Sequence, residues 1–166
     1  EMTCRMMEQF GVLTEHPAPD TFLIKAGQTY RAQDYAIEPD VSAACYFYAL
    51  AALSGCSVIV DGVPEHSLQG DTEFLSILEK MGCRVTRTNE GICITGPAGR
   101  LHGLTVDMSA CSDQAITLAA IAPFADSPVT ITGIGHIRGQ ESDRLSAIAE
   151  NLTAMGIRCE ERADSI

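Results

Sequence analysis

Apolar residues in this chain recur with helical spacing in two places. Phe74, Ile77, Leu78 and Met81 are spaced three, one and three apart, and Leu145, Ile148, Leu152 and Met155 three, four and three. Each set falls on one helical face and predicts an amphipathic helix, over QGDTEFLSILEKMG (69–82) and QESDRLSAIAENLTAMG (140–156). Gly82 and Gly156 follow as C-terminal caps. Two further stretches, ACYFYALAAL and AITLAAIAPF, are apolar nearly all round. They predict helices over about 41–53 and 113–124 that a domain encloses on every side. The β-branched runs SVIVDGV (57–63) and PVTITGI (128–134) predict strands.

These elements repeat in order. Residues 34–95 and 104–166 share one plan: a short strand (35–38 or 104–107), an Ala-rich helix, a β-branched strand, a polar loop, an amphipathic helix and another strand (83–88 or 157–162). In the first copy Asn89-Glu90-Gly91 turns the chain into a last strand, 92–95. The expected fold is α/β (α+β), built of repeated βαβαββ units around buried helices. Residues 1–26 read as the tail of another such unit: a helix carrying Met2, Met6 and Phe10, a strand GVLTE, a turn holding Pro17 and Pro19, and a strand TFLIK. The polar stretch AGQTYRAQD (26–34) reads as a crossover, which divides the chain into an end of one domain (1–29) and two units of a second (30–166).

Composition narrows the function. Eleven Lys and Arg against 22 Asp and Glu give a net charge of −11, which argues against a nucleic-acid surface. No apolar run is long enough to span a membrane, and no signal peptide is visible. The seven cysteines are odd in number and contain no C-x-x-C pair, so neither a zinc site nor a disulfide framework is expected, and a reducing cytoplasm fits. Phosphate-loop and Ser–His–Asp signatures are absent.

The densest polar cluster is HIRGQESDR (136–144). Gln140, Glu141 and Arg144 read as the first turn of the helix that follows, with Arg138 just before it. Glu141 and Arg144, three apart, project from one side. A carboxylate beside a guanidinium suits proton transfer and anion binding, although such pairs are also ordinary on helix surfaces. Asp113 begins another helix, either as a charge on its dipole or as a general base. Asp40 or Ser42 reads as the cap of the helix at 41, and His66 as a solvated loop residue.

Several segments, taken together, resemble the EPSP synthases, the 3-phosphoshikimate 1-carboxyvinyltransferase family. They are MMEQFGV, YAIEPDVSAACYF, SLQGDTEFLSILEKMGC, VDMSACSDQAITLA and HIRGQESDRLSAI, and they follow the family's order and spacing across essentially the whole chain. The resemblance implies two similar domains of three βαβαββ units each. It also implies a reaction without metal or organic cofactor, in which the enolpyruvyl group of phosphoenolpyruvate passes to the 5-hydroxyl of shikimate 3-phosphate. By the same resemblance Asp113 contacts shikimate 3-phosphate and accepts a proton, Glu141 donates one, Arg144 grips phosphoenolpyruvate, and His136 and Gln140 bind substrate. Gln140 departs from the commoner lysine and carries no charge.

Arg138 and Arg144 are the only cations in this cluster, too few for two phosphates and a carboxylate on so acidic a chain. The expected partners are therefore the two small molecules and the remainder of a longer polypeptide, without which the fragment is inactive. The alternatives are a UDP-N-acetylglucosamine enolpyruvyl transferase and a non-catalytic module of the same fold.

Overall fold

A computed structural model describes residues 2–166 of the chain. They fall into two compact units divided between Ile37 and Glu38.

In the first unit, helix α1 (Met2–Gln9) precedes a two-stranded antiparallel ribbon of β1 (Glu15–Ala18) and β2 (Thr21–Leu23). The strand expected at GVLTE starts later, so Pro17 lies inside β1 and the turn falls at Pro19-Asp20. Hydrogen bonding explains the shift. The Val12 N–H closes the helix end on the Met7 carbonyl (2.9 Å). The Gln28 side-chain amide accepts from the Leu13 N–H (2.8 Å) and donates to the Leu13 carbonyl (3.0 Å), which satisfies groups a ladder would use. Residues 28–40 are irregular, so the strand expected at 35–38 does not form. Tyr35 packs its ring on Phe10 instead, 5.3 Å between centroids.

The second unit holds the main core. Helix α2 (Val41–Ser54) is capped by the Asp40 carboxylate, which accepts from the Ser42 N–H at 2.8 Å. Strand β3 (Ser57–Asp61), helix α3 (Glu73–Lys80) and the hairpin β4 (Arg84–Arg87) and β5 (Gly91–Thr95) complete the first copy. The sheet order is β3-β5-β4, antiparallel throughout, with β5 in the middle and its Ile92 and Ile94 buried. The second copy supplies β6 (Thr105–Asp107), α4 (Ala115–Ile121), β7 (Thr130–Thr132) and α5 (Arg144–Ala154), with β6 and β7 paired in parallel.

Gly82 and Gly156 end α3 and α5 as expected, at φ +100° and +81°. In each case the glycine N–H and the next N–H return to the last carbonyls of the helix, Glu79 and Leu78 or Thr153 and Leu152, at 2.9–3.0 Å. A left-handed residue is required there, and glycine adopts it without a Cβ penalty.

The strand expected at 157–162 is absent; the residues that follow it, Ser165 and Ile166, pair with Thr132 and Ile131 of β7. The first copy shows why: β4 pairs with β5 and not with β3. In the second copy Ser165 and Ile166 meet β7 as the start of β5 meets β3, and among the described residues no longer β5-like strand lies beside 157–162 for it to pair with.

Phe74, Ile77, Leu78, Met81, Leu145, Ile148 and Leu152 are buried as their spacing requires. Met155 is not: it lies past the end of α5, 68% exposed. Helices α2 and α4 supply much of the buried core, as expected, but each keeps one side open. Val41, Ala44, Cys45, Tyr48, Ala51 and Ala52 are buried, but Tyr46, Phe47, Leu50 and Leu53 face outward, as do Ile116 on α4 and Phe124 just beyond it. The sheet, α3 and α4 pack against only one side of α2.

Among the described residues the Tyr48 hydroxyl is fully buried without a hydrogen-bond partner, and burial pushes its pKa up to about 12. A buried hydroxyl that forfeits its water bonds is destabilising. Tyr48→Phe is expected to raise the stability of the chain by about 1 kcal/mol, read as a higher midpoint in urea with an unchanged slope.

Candidate active site

The polar cluster is built by the short turns that precede α4 and α5. Residues 112–114 form a 3-10 turn leading into α4, with Asp113 exposed at its centre and Gln114 buried. Residues 135–139 form a second 3-10 turn, which places His136 and Arg138 ahead of α5. Asp143, not Gln140, begins that helix: its carboxylate accepts from the Ser146 N–H at 3.0 Å. Gln140 and Glu141 therefore lie in the loop before the helix rather than in its first turn.

The two turns meet through side chains. Arg144, the first residue of α5, donates from Nη1 to Asp113 Oδ1 at 2.9 Å and from Nη2 to Glu141 Oε2. The Arg144 side chain is 23% exposed, while those of Asp113 and Glu141 are 61% and 79% exposed, so the arginine lies at the centre and the carboxylates face outward. His136 Nε2 shares a hydrogen bond with Ser112 Oγ at 2.9 Å. Adjacent residues of the 112–114 turn thus hold His136 of the second turn and Arg144 at the start of α5. Ser112 carried no signal in the sequence beyond its place before Asp113. Gln140 is exposed on the loop.

The Glu141 carboxyl is held below its ordinary range, first by its own backbone N–H and then by Arg144. Asp143 is lowered first by the Ser146 N–H, and Glu161 first by its bond from Arg138. Arg138, counted from the sequence as a cation of this cluster, is turned away from it and bound to Asp143 and Glu161. Arg144 is left as the cation that meets Asp113 and Glu141.

The first copy has a matching junction with different chemistry. Ser42 at the start of α2 donates to Asp71, and Gln69 accepts from the Val41 N–H at 2.9 Å. Glu38 accepts from Ser67 Oγ (2.7 Å) and Gln69 Nε2 (2.8 Å). The E-P-D-x-S and L-Q-G-D segments thus interlock, as a helix start tied to the next loop. His66 is exposed. No group of acidic, His and Cys side chains among the described residues is arranged to hold a metal.

A guanidinium that holds two outward-facing carboxylates can bind an anion and place a proton donor and acceptor beside it. This is an enzyme-like site carried on repeated α/β units. The chain belongs to the EPSP synthase (3-phosphoshikimate 1-carboxyvinyltransferase) family, whose pattern it matches over residues 1–166. It is 45% identical over its whole length to the 3-phosphoshikimate 1-carboxyvinyltransferase of Nostoc punctiforme, of which it covers 39%. It is 42% identical to the chloroplastic enzyme of Brassica napus, with 99% of the chain covering 33% of that protein. The solved structure of EPSP synthase from Acinetobacter baumannii matches 99% of the chain, and 39% of its own length, with a TM-score of 0.83 and 25% identity. The enolpyruvyl transferase NikO from Streptomyces tendae shares the fold at a TM-score of 0.57 and 18% identity, over 77% of this chain and 31% of its own. The chain thus spans about two-fifths of the length of the bacterial relatives it matches.

Proposed function

We propose that this chain is part of an enzyme that transfers the enolpyruvyl group of phosphoenolpyruvate to the 5-hydroxyl of shikimate 3-phosphate, and that it contributes the proton-handling side of the site. The observation that carries this reading is Arg144 bonded to both Asp113 and Glu141. In the transfer, the shikimate 5-oxygen attacks C2 of phosphoenolpyruvate and its proton passes to Asp113. Glu141 delivers a proton to the methylene carbon, making it a methyl. Glu141 then takes back one methyl proton while phosphate leaves with the proton held on Asp113, which restores the double bond in the product and both carboxylates. Arg144 meets the phosphoenolpyruvate carboxylate, while His136 and the uncharged Gln140 bind shikimate 3-phosphate by hydrogen bonds. The relatives quoted above, named for shikimate transfer, favour this over UDP-N-acetylglucosamine as acceptor.

The remaining cations come from the rest of a longer polypeptide, since a single available guanidinium cannot balance two phosphates and a carboxylate. Residues 1–29 close a first domain and 30–166 open a second. Free cysteines throughout the chain support a reducing, cytoplasmic setting, and no helix among the described residues is long and apolar enough to cross a membrane.

Incubated with both substrates, the 166-residue chain is expected to release no phosphate, whereas the full-length protein turns over. Turnover by the chain alone would refute its dependence on the remainder. A full-length protein inactive on these substrates would refute the reaction itself.

A further inference from the structure

Arg138 is the most heavily engaged cation near the site, yet its partners are Asp143, Ser146, Glu161 and the carbonyls of Arg162 and Ala163, none of them a site residue. Its Nη1 donates to both oxygens of Asp143, at 3.1 and 2.9 Å, and to Ser146 Oγ at 3.2 Å. Its Nη2 donates to the Arg162 carbonyl at 2.7 Å and meets Glu161 Oε1 at 2.6 Å. Its Nε donates to the Ala163 carbonyl at 3.2 Å. Ser146 Oγ in turn donates to Glu161 at 2.8 Å, so the network closes on itself.

The position of these contacts matters more than their number. Arg138 and Asp143 are the two ends of the loop whose tip carries Gln140 and Glu141. Their ion pair draws the ends together, while the carbonyls at 162 and 163 fix the joined neck to the segment after α5. Asp143 also caps α5, so the same carboxylate ties the loop to the helix that begins with Arg144. A charge-assisted fork of this kind constrains direction as well as distance.

We propose that Arg138 is a positioning residue: it staples the neck of the 139–142 loop and so holds Glu141 within reach of Arg144, rather than binding a substrate anion itself. An arginine committed to two carboxylates and two carbonyls has no donor face to offer a phosphate. The proposed function explains why the place of Glu141 matters; the geometry can be tested without turnover.

The test is a side-chain carboxyl titration of Glu141 by NMR in the 166-residue chain, together with amide exchange. The charged groups facing this carboxyl are Arg144 and, across the guanidinium, Asp113. In the wild type, Glu141 should titrate below the ordinary glutamate range. In Arg138→Gln its midpoint should rise toward the ordinary range, while the amides of Ile148 and Leu152 in α5 keep their protection from exchange. A folded Arg138→Gln chain with the wild-type midpoint overturns the proposal. Should that variant lose protection in α5, Asp143→Asn decides by the same readings, because its amide oxygen still accepts from Ser146 but lacks the charge Arg138 grips. Arg144→Gln separates the two levels. If it too leaves the Glu141 midpoint unchanged, the pairing behind the proposed function fails; if it raises the midpoint and Arg138→Gln does not, only the staple fails.

Discussion

In the full-length protein, Glu141→Gln is expected to lower kcat by a factor of roughly 10²–10⁴, with KM for both substrates close to wild type. The amide has the same shape and its oxygen can still accept from Arg144, so binding survives; what is lost is a transferable proton. The Glu141 backbone N–H first, and then Arg144, hold this carboxyl below its ordinary range, so in the unliganded site it is an anion at neutral pH. A proton donor must be protonated. In the reaction proposed above, Glu141 would take up its proton once Arg144 has turned to the phosphoenolpyruvate carboxylate. Its contribution to kcat is therefore present at low pH and falls as pH rises through its pKa in the complex. The glutamine variant should lose that alkaline limb along with its rate. Turnover near wild type with the limb intact would remove Glu141 from the mechanism.

The same pair shows how far spacing carries an argument. Two residues three apart predict contact, and Arg144 does bond Glu141, but through a loop residue that precedes the cap rather than along a helix face. Asp143, a residue type favoured as a helix cap, was the signal for the true start. The meeting of Asp113 with Arg144 was not legible from local pattern, because 31 residues separate them and only the packing of α4 against α5 unites them. The role of Arg138 was hidden for a similar reason: its partners at 161–163 lie beyond an entire helix.

Helices and caps were readable because their determinants are local. Periodicity placed Phe74, Ile77, Leu78 and Leu145 in the core, and glycines at 82 and 156 ended α3 and α5. Strands were less so. TVD and TIT form a parallel pair, and RVTR and GICIT a hairpin, where each finds a neighbour. YAIE and the 157–162 run have strand-like composition without a ladder partner, and stay irregular. A strand is a property of two segments, and composition describes one.

The outward face of α2 leads to the other large effect. Leu50→Glu is expected to change the stability of the 166-residue chain by no more than about 0.5 kcal/mol, because Leu50 is 58% exposed there and glutamate favours helix nearly as well as leucine. In the full-length protein the same substitution is expected to cost about 3 kcal/mol or more, enough to leave much of it unfolded or aggregated. The contrast rests on α2 being apolar on the side that the described residues leave open. Tyr46, Leu50 and Leu53 follow one another at helical spacing, flanked by Phe47, and Ile116 on α4 is exposed as well. Such a stripe is a surface awaiting a partner, and the relatives are more than twice as long as this chain, which leaves ample polypeptide to cover it. A carboxylate buried there without a cation would lose its hydration with nothing in return. Chemical unfolding of both forms decides the matter: equal, small losses in the chain and in the full-length protein would mean that the outer face of α2 stays in water, and that the remainder of the polypeptide docks elsewhere.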